Sequence, residues 1–411
     1  MTEVQKSCNA FARDLFDVVT RDSSTNRKVT GVNAIISPVS IQTSLIYAYM
    51  GADGSTAEEL RHGLRLESDE REEIAKSFHE FWTKHCSYGD RLTLRSVNRL
   101  FVNQTLTLQS EFRKLAEDYF LTQPEALKFS DAVEATNTIN DLVMKDTENK
   151  IQHLLQPDAV NADTSAVLVN ALYFKGKFKK PFTPESTMSD DFYVDQDRHV
   201  EVDMMYQEDK FKYIELPEVD ARAVQLPYED SNISLLIILP NKTTGLLDLE
   251  RNLKTIDLAD IESRMTMEDV EIAMPRFSLE FDLDLRETLQ ELGISKLFDD
   301  SADLSRLFTT PTGQKISAAK HRGYIKVNEA GSEAAAVTFM KMVPMSLNMQ
   351  KKTFKVDHPF IFFIHNPKAV FFAGRFVEPQ KNKSSTCDDG LKSISESMRV
   401  EMSQMFSRKS D

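Results

Sequence analysis

A chain of 411 residues, 41% hydrophobic and 28% charged, has a globular composition and is long enough for one large core or two smaller ones. Its formal charge of −14 argues against a general nucleic-acid binder, which would carry a basic excess. Three cysteines, Cys8, Cys86 and Cys387, cannot all pair within one chain, and no Cys or His spacing fits a metal, so a disulfide scaffold, a metal site and a cofactor are not expected.

The first residues lack an apolar h-region, so no cleavable signal peptide is expected. Val4, Cys8, Phe11, Leu15 and Val18 recur at spacings of three and four and predict a helix. No run approaches the ~18 apolar residues of a membrane span. Ser37-Pro38 opens a second helix, Ser as N-cap and Pro at the first helical position, with Ile41, Leu45 and Ala48 on its apolar face. Lys175, Lys177, Lys179 and Lys180, and later Lys351 with Lys352, form basic clusters. They read as solvated faces, with a polyanion site as the lesser alternative. Ser234 to Leu239, ending at Pro240, reads as a buried strand. Val270, Ile272 and Met274 alternate, as do Phe277, Leu279 and Phe281 after Pro275. Leu285, Leu289 and Leu292 mark a helix stopped by Gly293.

Phe360–Ile364 and Val370–Phe376 are two more buried strands, parted by a turn at Asn366-Pro367. Helices and strands mix without strict alternation, which is the α+β class. Residues 1–379 hold no linker and read as one domain. From 380 to 411 the chain changes to a polar linker, then a stripe of Leu391, Ile394, Met398, Met402 and Met405 on a helix of about four turns. That helix is expected to pack on its own domain, on a partner chain or on a membrane surface. Four sequons, at Asn103, Asn232, Asn241 and Asn382, matter only on the secretory route.

The most informative stretch is Glu329-Ala-Gly-Ser-Glu-Ala-Ala-Ala-Val-Thr338, which follows the strand-like run Tyr324 to Asn328. A strand shows alternate residues to opposite faces. One face carries Ser332, Ala334, Ala336, Thr338, Met340 and Met342. The other carries Glu333, Ala335, Val337, Phe339 and Lys341, including both charges. The segment could enter a sheet, burying the first face and leaving Glu333 and Lys341 in water. Gly331 and three consecutive alanines are poor strand formers, so it need not be a strand at rest.

These residues resemble the hinge of the serpins, whose inhibitory members carry Glu-x-Gly-[Ser/Thr]-Glu-Ala-Ala-Ala-x-Thr. Further motifs follow in the family order: Asn33-Ala-Ile-Ile-Ser-Pro-Val-Ser40, Gly51-Ala-Asp-Gly-Ser-Thr56, Ile139-Asn140 with Thr147, Lys150 and Ile151, Leu168-Val-Asn-Ala-Leu-Tyr-Phe-Lys-Gly176, Asp357-His-Pro-Phe360, and Phe372-Ala-Gly-Arg-Phe-Val-Glu-Pro379. Phe178 and Leu142 stand where the family has Trp, changes that keep a large apolar group.

The resemblance covers nearly all of residues 1–379 and implies a large central sheet with two further sheets, surrounding helices and an exposed reactive-centre loop. It implies a suicide-substrate inhibitor of serine proteases, a monomer that traps its target as a covalent acyl complex. Family spacing puts the attacked bond at Met345-Ser346, with Val343 and Pro344 as specificity residues and Met342 or Phe339 as fallbacks. The hinge residues are then Glu329, Gly331, Ser332, Glu333, Ala334, Ala335, Ala336 and Thr338, and Ser37, Ser40, Asn170 and His321 form a polar cluster where the sheet opens.

Met345 is unbranched and apolar and suits elastase-, chymotrypsin- or subtilisin-like enzymes. Lys341 reads as a substrate site only. No Gly-x-Ser-x-Gly, His-Glu-x-x-His or phosphate loop is present, so no enzyme is expected. The alternative is a non-inhibitory serpin-like carrier, storage or chaperone protein. The site of action is open between the extracellular space or cell surface, reached by non-classical export, and the cytoplasm.

Overall fold

The computed structural model describes residues 2–22, 27–28, 31–86, 92–120, 122–253, 257–309, 313–332 and 351–380. The N-terminal apolar spacing folds as the helix α1 (Glu3–Val19), closed by a capping box between Thr2 and Gln5. The other helices are α2 (Pro38–Gly51), α3 (Gly54–Gly63), α4 (Arg71–His85), α5 (Ser110–Leu115), α6 (Ala132–Asp146), α7 (Leu246–Leu253), α8 (Leu258–Arg264) and α9 (Leu285–Glu291). The strands are β1 (Arg21–Asp22), β2 (Arg27–Lys28), β3 (Ala34–Ile36), β4 (Thr93–Asn103), β5 (Glu125–Leu127), β6 (Ala166–Lys177), β7 (Thr187–Tyr193), β8 (His199–Leu216), β9 (Ala221–Pro227), β10 (Ser234–Pro240), β11 (Thr266–Pro275), β12 (Phe277–Asp284), β13 (Ile316–Asn328), β14 (Gly331–Ser332), β15 (Lys352–Lys355), β16 (Phe360–His365) and β17 (Val370–Phe376).

The strands form a six-stranded sheet, β12-β13-β14-β6-β4-β5, a nine-stranded sheet, β15-β11-β8-β9-β10-β16-β17-β3 with β7 on β8, and the two-residue ribbon β1–β2. The α+β class is as expected. One detail differs: the larger sheet is a single hydrogen-bonded unit because β8, 18 residues long, pairs with β11, β7 and β9 along its length. The continuous apolar runs β10 and β16 are buried at every position, as strands covered on both faces must be. Residues Met1–Glu378 form one compact unit. The extension from 381 onward lies outside the described residues, and Cys387 and Asn382 with it. Among the described residues no helix is long and apolar enough to cross a membrane.

The six-stranded sheet has two unlike faces. Leu168, Leu172 and Phe174 of β6 pack into the main core, where α2 is buried along nearly its whole length. Val167, Val169 and Ala171 face a second apolar cluster with Ala135, Ile139 and Val143 of α6. β13 and β6 pair directly in parallel from Ile316 opposite Ala166 to Tyr324 opposite Tyr173. Beyond that, they part by one strand width, and β14 lies between them, antiparallel to both. The sheet is therefore closed at one end and opened by two hinge residues at the other.

Candidate functional site: the hinge and the sheet opening

The chain before the slot is tied down by backbone and side chain. Phe178 N–H donates to the Ala330 carbonyl and Phe182 N–H to that of Glu329, both at 2.8 Å. The Glu329 carboxylate accepts from Thr187 Oγ1 at 2.8 Å and lies 3.5 Å from Arg276 Nη1. Gly331 follows at φ +138°, and a Cβ there would meet the Gly176 carbonyl oxygen at 2.2 Å. Only glycine fits so close a backbone approach at that dihedral.

Ser332 is next and is fully buried. It pairs with Gly176 of β6 and Val327 of β13, and its hydroxyl meets that of Tyr228 at 2.8 Å. The parity argument put Ser332 on the inward face, and its side chain points to the main core. Phe178, at the position where the family has Trp, stacks on Tyr228 with centroids 5.1 Å apart.

Lower in the sheet, at the closed end of the slot, Asn170 of β6 stands opposite His321 of β13. Asn170 Nδ2 donates to Ser40 Oγ at 2.7 Å and to Ser44 Oγ at 3.1 Å. Ser40 Oγ lies 2.7 Å from Ser96 Oγ, and the Asn98 amide is within hydrogen-bond distance of Ser40, Ser44 and Ser96. His321 Nε2 accepts from the backbone N–H of Ser37 at 3.3 Å, so Nδ1 carries the proton and donates to Asn170 Oδ1 at 2.5 Å.

Ser40, Asn170 and His321 thus converge. Ser37 joins through its backbone, and here the structure corrects the sequence reading. Ser37 sits at the N-cap of α2, but its buried hydroxyl makes no capping bond and has no hydrogen-bond partner among the described residues. The start of α2 meets β13 through the Ser37 N–H, which donates to His321 and is separate from the missing cap. Ser44, Asn98, Ser96 and Tyr228 were not anticipated. Ser44 lies one turn after Ser40 on α2, and Ser96 and Asn98 alternate on β4, signals that could have been read. The hinge residues Glu333, Ala334, Ala335, Ala336 and Thr338, and the loop residues Phe339, Lys341, Met342, Val343, Pro344, Met345 and Ser346, lie outside the described residues.

Burial lowers the His321 pKa from its usual 6.5 to about 3. The unfolded chain takes up this proton below about pH 6.5 and the folded chain does not. Stability from this group is therefore complete above 6.5 and falls as the pH drops toward 3, by about 1.4 kcal/mol per unit. The denaturant midpoint is expected to fall between pH 7 and pH 4.5, and to fall less in His321→Gln. Equal slopes for the two proteins would contradict the assignment.

The second basic cluster is neutralised by acidic partners, the first at Lys180 alone. Lys180 pairs with Asp209, Lys351 with Glu208 and Lys352 with Glu215, at 2.6, 2.6 and 2.9 Å. Lys175, Lys177 and Lys179 are exposed.

A family model described as serpin (serine protease inhibitor) matches residues 6–379. The chain belongs to the serpin family. It is 34% identical over 351 residues to Serine protease inhibitor 42Dd of Drosophila melanogaster, covering 85% of this chain and 92% of that protein. It is also 34% identical over 385 residues to Serpin B9 of Homo sapiens, covering 92% of this chain and all of that protein. The crystal structure of Serpin48 from the insect Tenebrio molitor matches with a TM-score of 0.82 at 34% identity, over 92% of this chain and 98% of that one. The class of this serpin is inhibitor of serine proteases, not enzyme.

Proposed function

We propose that this serpin inhibits serine proteases as a suicide substrate, by insertion of its cleaved loop into the six-stranded sheet. The target serine attacks the Met345 carbonyl, the peptide bond to Ser346 breaks, and Ser346 leaves as the new N-terminal amine. Freed at one end, the hinge extends β14 between β6 and β13 and carries the acylated protease away before water releases it. The uncut loop is held at both ends, so the intact protein is kinetically trapped.

One observation carries this reading: Gly331 and Ser332 already occupy the slot, in register with both neighbours. Continuing that register residue by residue, Thr338 would arrive between Asn170 and His321. A hydroxyl there can accept from His321 Nδ1–H and donate to Asn170 Oδ1, replacing the bond the two now share. Ala334 and Ala336 would face the main core opposite Phe174 and Leu172, where small side chains are needed. Glu333 would emerge on the solvent side between the exposed lysines Lys175 and Lys326. The same register alters one expectation. Lys341 would fall opposite Val167 and Ala318, on the α6 side of the sheet, and not in open water.

A carrier or storage role leaves the seated Ser332 and the alanine-lined inward face without a use. Cleavage at Lys341 would shorten the inserted arm by four residues, about 13 Å at strand rise, so that residue acts as a substrate site. The unit responsible is the 1–379 domain acting as a monomer. Elastase-, chymotrypsin- and subtilisin-like proteases are the targets that Met345 suits. Incubation with a panel of serine proteases, followed by denaturing gels, is expected to show a covalent complex with at least one such enzyme. Turnover of the chain by every member without a complex would overturn the proposal.

A further inference from the structure

Tyr228 follows directly after β9, more than a hundred residues before the hinge, yet its hydroxyl meets that of Ser332 at 2.8 Å. Both residues are buried, Tyr228 to 1% exposure and Ser332 to none. Among the described residues neither hydroxyl has another hydrogen-bond partner. The ring is fixed from several sides. Phe178 stacks on it at 5.1 Å and Phe174 meets it edge-on at 4.9 Å. Its backbone N–H donates to the Ile233 carbonyl at 2.9 Å, and the next residue, Glu229, donates to the Lys177 carbonyl at 2.7 Å. The phenol therefore cannot swing out to water, and burial holds it protonated far above its ordinary range.

We infer that Tyr228 is a positioning residue for inhibition. Its hydroxyl seats Ser332 in the mouth of the slot before cleavage, so insertion starts from a hinge already two residues in. The inference rests on the loop-insertion reading. Insertion races against hydrolysis of the acyl-enzyme, and a hinge that starts outside the slot loses part of that race. Removing one hydroxyl leaves the other buried and unpaired, which lowers the seated population roughly tenfold, whereas removing both is close to neutral. The reactive bond is far along the loop, so docking and attack do not depend on this contact.

The test compares wild type, Tyr228→Phe, Ser332→Ala and the double variant, against a protease that wild type traps. Each single variant is expected to raise the stoichiometry of inhibition about three- to tenfold, with the association rate constant within about twofold of wild type. The double variant is expected to return to within about twofold of wild type, a rescue that a role of the tyrosine independent of Ser332 would not produce. Hydrogen exchange in the uncut proteins gives a second readout. The Phe178 and Phe182 amides, bonded to Ala330 and Glu329, should exchange faster in each single variant and recover in the double one.

Unchanged stoichiometry in Tyr228→Phe, or effects that add in the double variant, would overturn the inference alone. A wild-type chain that traps no serine protease would overturn the insertion reading and this inference together.

Discussion

Ser332→Arg is expected to convert the inhibitor into a substrate. Position 332 has no solvent-exposed surface and is clamped between Gly176 and Val327, with Tyr228 at its hydroxyl. A guanidinium there would be buried without a counter-charge, at a cost of several kcal/mol. The hinge would leave the slot and the strand could not re-enter from that end. The reactive bond, thirteen residues further on by sequence, would still be attacked. The covalent complex should vanish from denaturing gels, and the stoichiometry of inhibition should rise at least tenfold while cleavage continues. A variant that forms the complex at wild-type stoichiometry would sink the insertion mechanism.

The second large effect is expected at the bait. Met345→Arg places a cation where an apolar primary pocket must close around it. Association with elastase- and chymotrypsin-like enzymes should fall by a hundredfold or more, since a buried unpaired charge costs several kcal/mol and each 1.4 kcal/mol is tenfold. Trypsin-like enzymes, whose pocket holds a carboxylate, should become the trapped targets. Association rate constants for both enzyme classes, measured side by side, decide this. An unchanged preference would move the attacked bond away from Met345.

Much of this was legible in local pattern. The three- and four-residue spacing from Val4 to Val18 is α1, and the uninterrupted apolar run from Ser234 is a strand buried on both faces. The parity of the hinge places Ser332 on the inward side, because alternation along a strand depends only on the chain itself. Contacts that join distant segments were not legible. Nothing near Tyr228 in sequence points to Ser332, and the pairing arises because β9 delivers the tyrosine beside the end of β6. Ser37 misled for a related reason. A serine before a proline reads as a helix cap, but the Ser37 hydroxyl has no hydrogen-bond partner among the described residues, and the residue joins the cluster through its backbone N–H, which donates to His321. The polar cluster was half seen: the family motifs carry Ser40, Asn170 and His321, whereas Ser44, Ser96 and Asn98 complete it from α2 and β4.

These elements describe a sheet closed below by Asn170 and His321 and entered above by Gly331 and Ser332. The central claim is that cleavage at one bond drives the rest of the hinge into that opening with the protease attached. Intact-mass measurement of the mixture with a trapped protease tests it most directly. Under denaturing conditions, the predicted result is an adduct whose mass equals protease plus residues 1–345, together with a separate fragment that begins at Ser346. Two inhibitor fragments with free, active protease and no adduct would contradict the account.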